Sequence, residues 1–456
     1  MTMMNPAIFK AYDIRGVIGK TLDEAGMHLI GRAIGSEALA RKQTRLVLGR
    51  DGRLSSPQLA TALCEGLLSC GVSVVDLGQV PTPLVWFATH QLETYSGVMI
   101  TGSHNPPEYN GVKIMLAGET LAGPAIQALL SRIEAAEFVS GEGILSTLDI
   151  RESYYQRITD DLKLQRRLNV VVDAGNGAAG PIAPVLYRRL GCRVRELFCE
   201  VNGHFPNHHP DPVKLENLAD LRVALEKTDA ELGLAFDGDG DRLGVVAKDG
   251  NVVYPDRLLM LFAADALSRQ PGGKILYDVK SSRLVAPWVK ENKGKAILTR
   301  TGHSYMKAKM KETGALVGGE LSGHLFFAER WYGFDDGIYA GARLLEILSQ
   351  IDDPTELLKR LPQGACTPEI QIDMPEGQAH ALIERLKESS HFEGAEMLTL
   401  DGIRVEYPDG FGLLRASNTT PSLILRFEGD DDAALKRIQS TFRTLLTNET
   451  DLSLPF

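Results

Sequence analysis

The run Asp237-Gly238-Asp239-Gly240-Asp241-Arg242 places three carboxylates at alternate positions. In an extended loop alternate side chains turn to one side, so the three can close on one hard cation. Oxygen ligands of this kind suit Mg²⁺ or Ca²⁺ better than zinc, and the glycines permit the tight path. A calcium EF-hand would want glycine at loop position six and glutamate at twelve, where this chain has Arg242 and Lys248. The apolar stretch ELGLAF leads straight into the loop, which argues against a merely solvated acidic turn.

A second run, Thr101-Gly102-Ser103-His104-Asn105-Pro106, follows the apolar stretch SGVMI. A serine set after a buried strand and a glycine can present its hydroxyl to a cleft, although it needs activation to act as a nucleophile. The flanking residues are not the GxSxG elbow, and an adjacent Ser-His pair alone equally suits a capping serine in a turn. Lys113 lies close enough in sequence to neutralise a phosphate or move a proton. In Gly319-Glu320-Leu321-Ser322-Gly323-His324, a carboxylate and a hydroxyl two residues apart can both hydrogen-bond a diol, as sugar sites do; an ordinary polar turn reads the same way. Arg415-Ala416-Ser417-Asn418-Thr419-Thr420 offers one guanidinium, several hydroxyls and backbone N–H groups, a set that suits a phosphate dianion. Arg15, Lys280 and His303 are supporting cations. The glycines 175–180 fit GxGxxG after NVVVDA, with Glu196 about twenty residues on, and would suggest a dinucleotide enzyme. Asp173 at the strand end opposes a pyrophosphate there, and Pro181 and Pro184 crowd the helix start.

The elements that must carry these loops recur. TRLVLGRDGR opens one unit, followed by the helix SSPQLATALCEGLLSCG, with Ser55 or Ser56 as its cap and Gly71 as its stop, and by the strand VSVVDLG. NVVVDAGNG opens a second and GKILYDVKSS a third. Strands alternating with helices mean βαβ units and mainly parallel sheets, whose ligands gather beyond the carboxyl ends of the strands. The tail from Cys366 changes to an α+β pattern: TPEIQIDMPEG, a helix, the hairpin LDGIRVEYPDGFGLLRAS, the strand PSLILRFEG and a last helix. The fold class expected is therefore three related α/β domains with mainly parallel mixed sheets plus a smaller α+β C-terminal domain, around a central cleft. The boundaries expected are 1–150, 151–252, 253–364 and 365–456, the last near the linker Leu361-Pro362-Gln363-Gly364.

The bulk numbers bound the function. A chain of 456 residues holds roughly three or four domains. The hydrophobic fraction of 44% and charged fraction of 24% are those of a soluble globular protein. A net charge of −10 argues against a general nucleic-acid binder, but not against an anionic substrate in a locally basic pocket. Five cysteines without a CxxC pair read as structural thiols of a reduced, cytoplasmic protein. The N-terminus lacks a signal peptide's apolar run, and no stretch reaches about 18 apolar residues, so no membrane partner is expected.

Taken together, TGSHNP, DGDGDR, GELSGH and RASNTTP, in that order and one per domain, resemble the α-D-phosphohexomutase family over essentially the whole chain. KAYDIRG and ERWYGFDDGIYAGARLLEILSQ place the resemblance nearest the bacterial phosphomannomutase/phosphoglucomutase branch. The resemblance implies an isomerase that moves a phosphoryl group between the 1- and 6-positions of mannose and glucose phosphates. It implies a phosphorylated Ser103, one Mg²⁺ per chain on Asp237, Asp239, Asp241 and the phosphoserine, and glucose 1,6-bisphosphate as intermediate and activator. Lys113 and His303 match positions for proton transfer or phosphate stabilisation, and Arg15, a substrate-side match, joins them and Ser103 as a catalytic candidate. Tyr12, Arg242, Lys280, Glu320, Ser322 and His324 match substrate-side residues, as does His303 again. Arg415, Ser417, Asn418 and Thr419 match the distal phosphate site. A monomer with no nucleic-acid or membrane partner is expected. GELSGH and RASNTTP, where a phosphoglucosamine mutase would show GEQSGH and RPSGTEP, favour mannose and glucose phosphates. The alternatives are that mutase, an NAD-dependent oxidoreductase, and a non-catalytic phosphosugar-binding protein.

Overall fold

The computed structural model describes residues 4–375, 377–418, 420–450 and 452–456. One strand plan appears three times. In the first unit Arg45–Arg50 is flanked in parallel by Ser73–Gln79 and Gly97–Ile100, and Tyr109–Leu116 joins antiparallel beyond the latter. In the second, Asn169–Asp173 lies between Arg193–Leu197 and Leu232–Phe236, with Leu243–Ala247 antiparallel beyond. In the third, Lys274–Asp278 lies between Lys295–Thr299 and Val317–Gly319, with Leu325–Phe327 antiparallel beyond. The three parallel strands of each unit are those expected from the apolar runs; the antiparallel fourth makes every sheet mixed. In each unit the motif loop joins the third parallel strand to the antiparallel one, at the strand's carboxyl end.

Local sequence explains the elements. Continuous β-branched runs such as Val170-Val171-Val172 are fully buried because helices cover both faces of a parallel sheet. Pro57 sits in the first turn of the helix Ser56–Leu68. Asp336 caps the helix Gly337–Leu348 by accepting a hydrogen bond from the Tyr339 amide at 2.8 Å. In the glycine run 175–180, the Asp173 carboxylate accepts from the Gly175 amide and faces His208, and Gly180 packs on the Cys199 carbonyl, so these glycines serve backbone packing.

The last unit is an antiparallel sheet of six strands backed by the helices Gln378–Ser389 and Asp432–Glu449. Its core, including Leu386, Phe427 and Phe442, is its own, whereas one continuous core runs through the first three units from Val47 to Leu361. The fourth unit meets the third through a small apolar cluster, Val279, Phe411 and Leu413. Buried arginines complete that contact: Arg404 donates to the Val279 and Ser281 carbonyls, and Arg426 to the Lys280 carbonyl. All five cysteines are unpaired. Among the described residues no helix is long and apolar enough to cross a membrane.

Candidate active site

Ser103 occupies the turn after Gly97–Ile100, with φ at +49°. That left-handed conformation costs a non-glycine residue on the order of 1 kcal/mol or more, so its surroundings must hold it. They do so through two residues that the sequence reading did not single out. Arg53, buried, donates to the carbonyls of Ser103 (2.8 Å), Asn105 (2.6 Å), Pro106 (2.6 Å) and Tyr109 (3.0 Å). Asp51 accepts from the Thr101 hydroxyl at 2.8 Å and the Gly102 amide at 3.1 Å, and pairs with Arg53. A side chain at Gly102 would collide with the Arg53 guanidinium, a Cβ lying 2.4 Å from its Nε. Both residues stand in GRDGR just past the end of Arg45–Arg50, where charged residues after a buried parallel strand were a readable signal.

The aspartate loop meets the serine loop directly. A Cβ on Gly238 would lie 2.4 Å from the Ser103 carbonyl oxygen, so only glycine allows this approach. Ser103 Oγ donates to Asp237 Oδ2 at 3.1 Å. Asp237, Asp239 and Asp241 are fully buried, and one oxygen of each lies within 4.8 Å of the others. Lys113 Nζ spans two of them, at 2.6 Å from Asp239 Oδ2 and 2.5 Å from Asp241 Oδ2, and Thr82 adds a hydrogen bond to Asp239. With both Oδ2 atoms taken, Asp239 Oδ1 and Asp241 Oδ1 are buried and, among the described residues, have no hydrogen-bond partner, although His324 Nδ1 stands 3.5 Å from the latter. Such oxygens are costly to leave unpaired, and an all-oxygen set with two open donors fits a hard divalent cation.

The charges are mutually adjusted. Burial, then the charges of Asp239 and Asp241, push the Asp237 carboxyl well above the usual carboxylate range. Burial pushes Asp239 the same way, but Lys113 and Thr82 outweigh it and hold that carboxyl below its usual range. Burial disfavours the Lys113 ammonium, and the two carboxylates more than compensate, so its pKa is raised.

The third loop closes on the second. Arg242 and His324 form a backbone bridge, and Arg242 Nε donates to His324 Nε2 at 3.0 Å. Burial raises the Glu320 pKa; one of its oxygens accepts from the Gly302 amide at 2.5 Å and the other from Ser322 Oγ at 3.5 Å. His303 begins the helix His303–Thr313, stacks on His324 at 5.5 Å between ring centroids, and meets the Tyr12 ring edge-on at 5.4 Å. Arg15 bonds Asn105 of the serine loop and Asp13. Burial, then the surrounding charges of Arg415, Asp13, Glu320 and Arg15, set the raised pKa of the Tyr12 hydroxyl, so residues from three units face this one ring.

The fourth unit is less converged. Arg415 is engaged by Asp401, with Nε 3.2 Å from Oδ2, and Asp401 also accepts from the Thr301 amide at 2.9 Å. Lys280 is paired with Glu369 at 2.8 Å. Ser417 and Asn418 line a cavity of about 290 Å³ against Lys10, Ala11 and Gln127 of the first unit. Thr419 lies outside the described residues. The structure thus brings Ser103, Lys113, the aspartates, Arg242, His324, His303 and Tyr12 into one contact network, and sets Arg415 and Lys280 in ion pairs at the fourth unit's edge.

This geometry joins a serine hydroxyl, a lysine and a buried three-carboxylate nest that suits a hard cation, on repeated α/β domains. Profiles of the phosphoglucomutase/phosphomannomutase family match in order: alpha/beta/alpha domain I over residues 6–140, domain II over 152–250, domain III over 254–364, and the C-terminal domain over 369–445. The chain belongs to this family. It is 57% identical to a phosphoglucomutase of Neisseria gonorrhoeae over 100% of both chains. It is 54% identical to a phosphomannomutase/phosphoglucomutase of Pseudomonas aeruginosa, covering 98% of this chain and 97% of that one. The crystal structure of a phosphoglucomutase/phosphomannomutase family protein from Burkholderia thailandensis matches with a TM-score of 0.95 at 53% identity, over 100% of both chains.

Proposed function

We propose that this chain is an isomerase that exchanges phosphate between the 1- and 6-positions of glucose and mannose phosphates through Ser103. The observation that carries the reading is the Ser103 hydroxyl, 3.1 Å from Asp237 in a buried nest of three aspartates and one lysine, on a chain of this family. Asp237, Asp239 and Asp241 would hold one Mg²⁺. When bound, that ion would draw charge from the phosphate on Ser103. The chain's own residues do the rest. Phosphoryl transfer asks mainly for alignment and charge neutralisation, and Lys113, Arg15 and Arg242 supply positive charge around the serine. Glu320 and Ser322 hydrogen-bond sugar hydroxyls. Lys113, held charged by two carboxylates, is a poor proton acceptor. Burial and Lys307 keep His303 neutral, which makes it the better acceptor for the attacking hydroxyl's proton.

A sugar phosphorylated at both ends must then turn around, so the distal site has to accept either phosphate. Arg415, Ser417, Asn418 and Thr419 are assigned to it, and the fourth unit's separate core allows it to shift as a body. The domain limits proposed are those read from the sequence, 1–150, 151–252, 253–364 and 365–456. Activity is expected to need only the single chain. The test is a coupled assay with mannose, glucose and glucosamine 1-phosphates, each with catalytic glucose 1,6-bisphosphate. Turnover of the first two with little of the third is expected; failure to form any hexose 6-phosphate would overturn the reading.

A further inference from the structure

A cavity of about 460 Å³ lies where the second, third and fourth units meet. Its walls are the hairpin turn holding Asp249 and Asn251, the start of the helix Pro255–Arg269, the end of the helix Pro354–Lys359, and the linker from Gln363 to Cys366. It shares no residue with the site described above. Cys366 belongs to the first strand of the fourth unit, Ala365–Cys366, which pairs antiparallel with Gly429 and Glu428. One cavity therefore touches three units at the joint that carries the fourth.

Its lining combines an apolar wall with unused positive charge. Leu215, Val252, Val253 and Leu358 form the wall. Three cations, Arg222, Arg257 and Lys359, stand against one carboxylate, Asp249, which Lys359 already engages at 3.0 Å. Arg257 is buried, at 6% exposure, and among the described residues its guanidinium makes no hydrogen bond. Its one ion pair there is long, with Nη2 3.9 Å from Glu428 Oε2. Glu428 Oε1 accepts from Ser282 instead, and the neighbouring Asp256 turns to Arg426 and the Ser282 amide. A buried guanidinium carries N–H donors that are costly to leave without an acceptor. Arg222, on the helix Ala219–Glu226, is exposed and among the described residues has neither an ion pair nor a side-chain hydrogen bond. Small-molecule sites are clefts of roughly 300–1,000 Å³ with apolar walls and a few placed polar groups, and this cavity has that character.

We propose that this cavity is a second ligand site, taking a small organic anion whose oxyanion head meets Arg257 and Arg222 and whose body lies on the apolar wall. An oxyanion offers the acceptor that Arg257 lacks, and a guanidinium pairs with two oxygens at once. A molecule bound there touches the second unit's hairpin, the third unit's helix end and the strand Ala365–Cys366 together. It thereby ties down the unit whose shift the turning of a bisphosphate requires, and slows turnover. The restraint half of this inference rests on the mutase reading; the binding half does not.

The test soaks crystals of the full chain with 4-bromobenzoate and, separately, with 4-bromophenyl phosphate, and locates the bromine by anomalous scattering. A bromine in this cavity with the oxyanion on Arg257 is expected, and the tighter probe by calorimetry identifies the head as carboxylate or phosphate. Arg257→Gln is expected to weaken that probe roughly tenfold or more. Arg222→Gln, an exposed change that leaves the fold and basal turnover intact, is expected to weaken it about threefold. With the probe and glucose 1-phosphate both saturating, kcat of the parent is expected to fall about fivefold or more. Water alone in the soaked cavity, binding at crystal concentration only, or parent-like affinity in both variants overturns the site. An occupied cavity with unchanged kcat overturns the restraint. Binding in a chain without mutase activity would sink the proposed function and leave the site standing.

Discussion

Replacing Lys113 with methionine removes the ammonium that bridges Asp239 and Asp241 while keeping most of the side chain's bulk. Its two contacts, 2.6 and 2.5 Å, are each worth about 6 kcal/mol of gross attraction at an effective dielectric near 20. Desolvation of the buried groups cancels much of this, and deleting one partner of a buried pair costs about 3–5 kcal/mol net. Proton uptake by an aspartate would hold the loss toward the low end. In chelator, Lys113→Met is therefore expected to be less stable than the parent by about 3 kcal/mol in denaturant titrations. Mg²⁺ changes the comparison. The lysine competes with a divalent cation for the same charge, so the variant is expected to bind Mg²⁺ at least about tenfold more tightly by calorimetry, each decade being about 1.4 kcal/mol. Added Mg²⁺ should then close much of the stability gap, while turnover stays low because a cation near the reacting phosphate has gone. Equal stability in chelator, or equal Mg²⁺ affinity, would refute the view that Lys113 serves as the nest's internal counter-ion.

Ser103→Ala is expected to lose the phosphate from the intact mass of the purified protein and nearly all turnover, while glucose 1-phosphate still binds within a few-fold by calorimetry. Arg53→Lys keeps the charge but cannot reach four carbonyls, so at least about 2 kcal/mol of local stability should go; faster hydrogen exchange at the amides of residues 103–109 checks this, and unchanged exchange contradicts it. Burial raises the Asp336 carboxyl to about 7 against hydrogen bonds from Tyr339 and Tyr154. Between roughly pH 4 and 7 the folded chain thus holds a proton that the unfolded chain lacks, and this stabilisation fades as pH rises through 7. Asp336→Asn keeps the cap and stays neutral, so its stability relative to the parent should improve between pH 5 and pH 8 in denaturant titrations; a difference independent of pH counts against the buried carboxyl.

The parts of the site legible in the sequence are those where one loop carries the chemistry alone. Three alternate aspartates after LGLAF announce a cation whatever the fold, and the apolar strands ahead of each motif located the loops. Arg53 stood in a readable place, just after a buried strand, but its role was not legible. Its four acceptors are backbone carbonyls of a loop about fifty residues away, and carbonyls have no sequence signature. Thr82 acts on Asp239 of another unit, so its role exists only once the sheets are assembled. Mixed sheets were expected, but which strand runs antiparallel was not readable, because a fully buried strand reads as an apolar run whichever way it points.

The two lysine contacts and the strained serine belong to one argument about readiness. Ser103 is held at positive φ by Arg53 and Asp51, which spend binding on the backbone and leave its hydroxyl free to face Asp237. The nest keeps two carboxylate oxygens open by occupying their partners with Lys113 and Thr82, not by exposing them to water. A divalent cation entering such a site finds ligands already aimed and an internal positive charge to overcome. Its affinity is then lower than three bare carboxylates would give, and in exchange the acidic loop stays folded while empty. Lys113 therefore ties stability without metal to affinity for metal, and a substitution there should move the two in opposite directions.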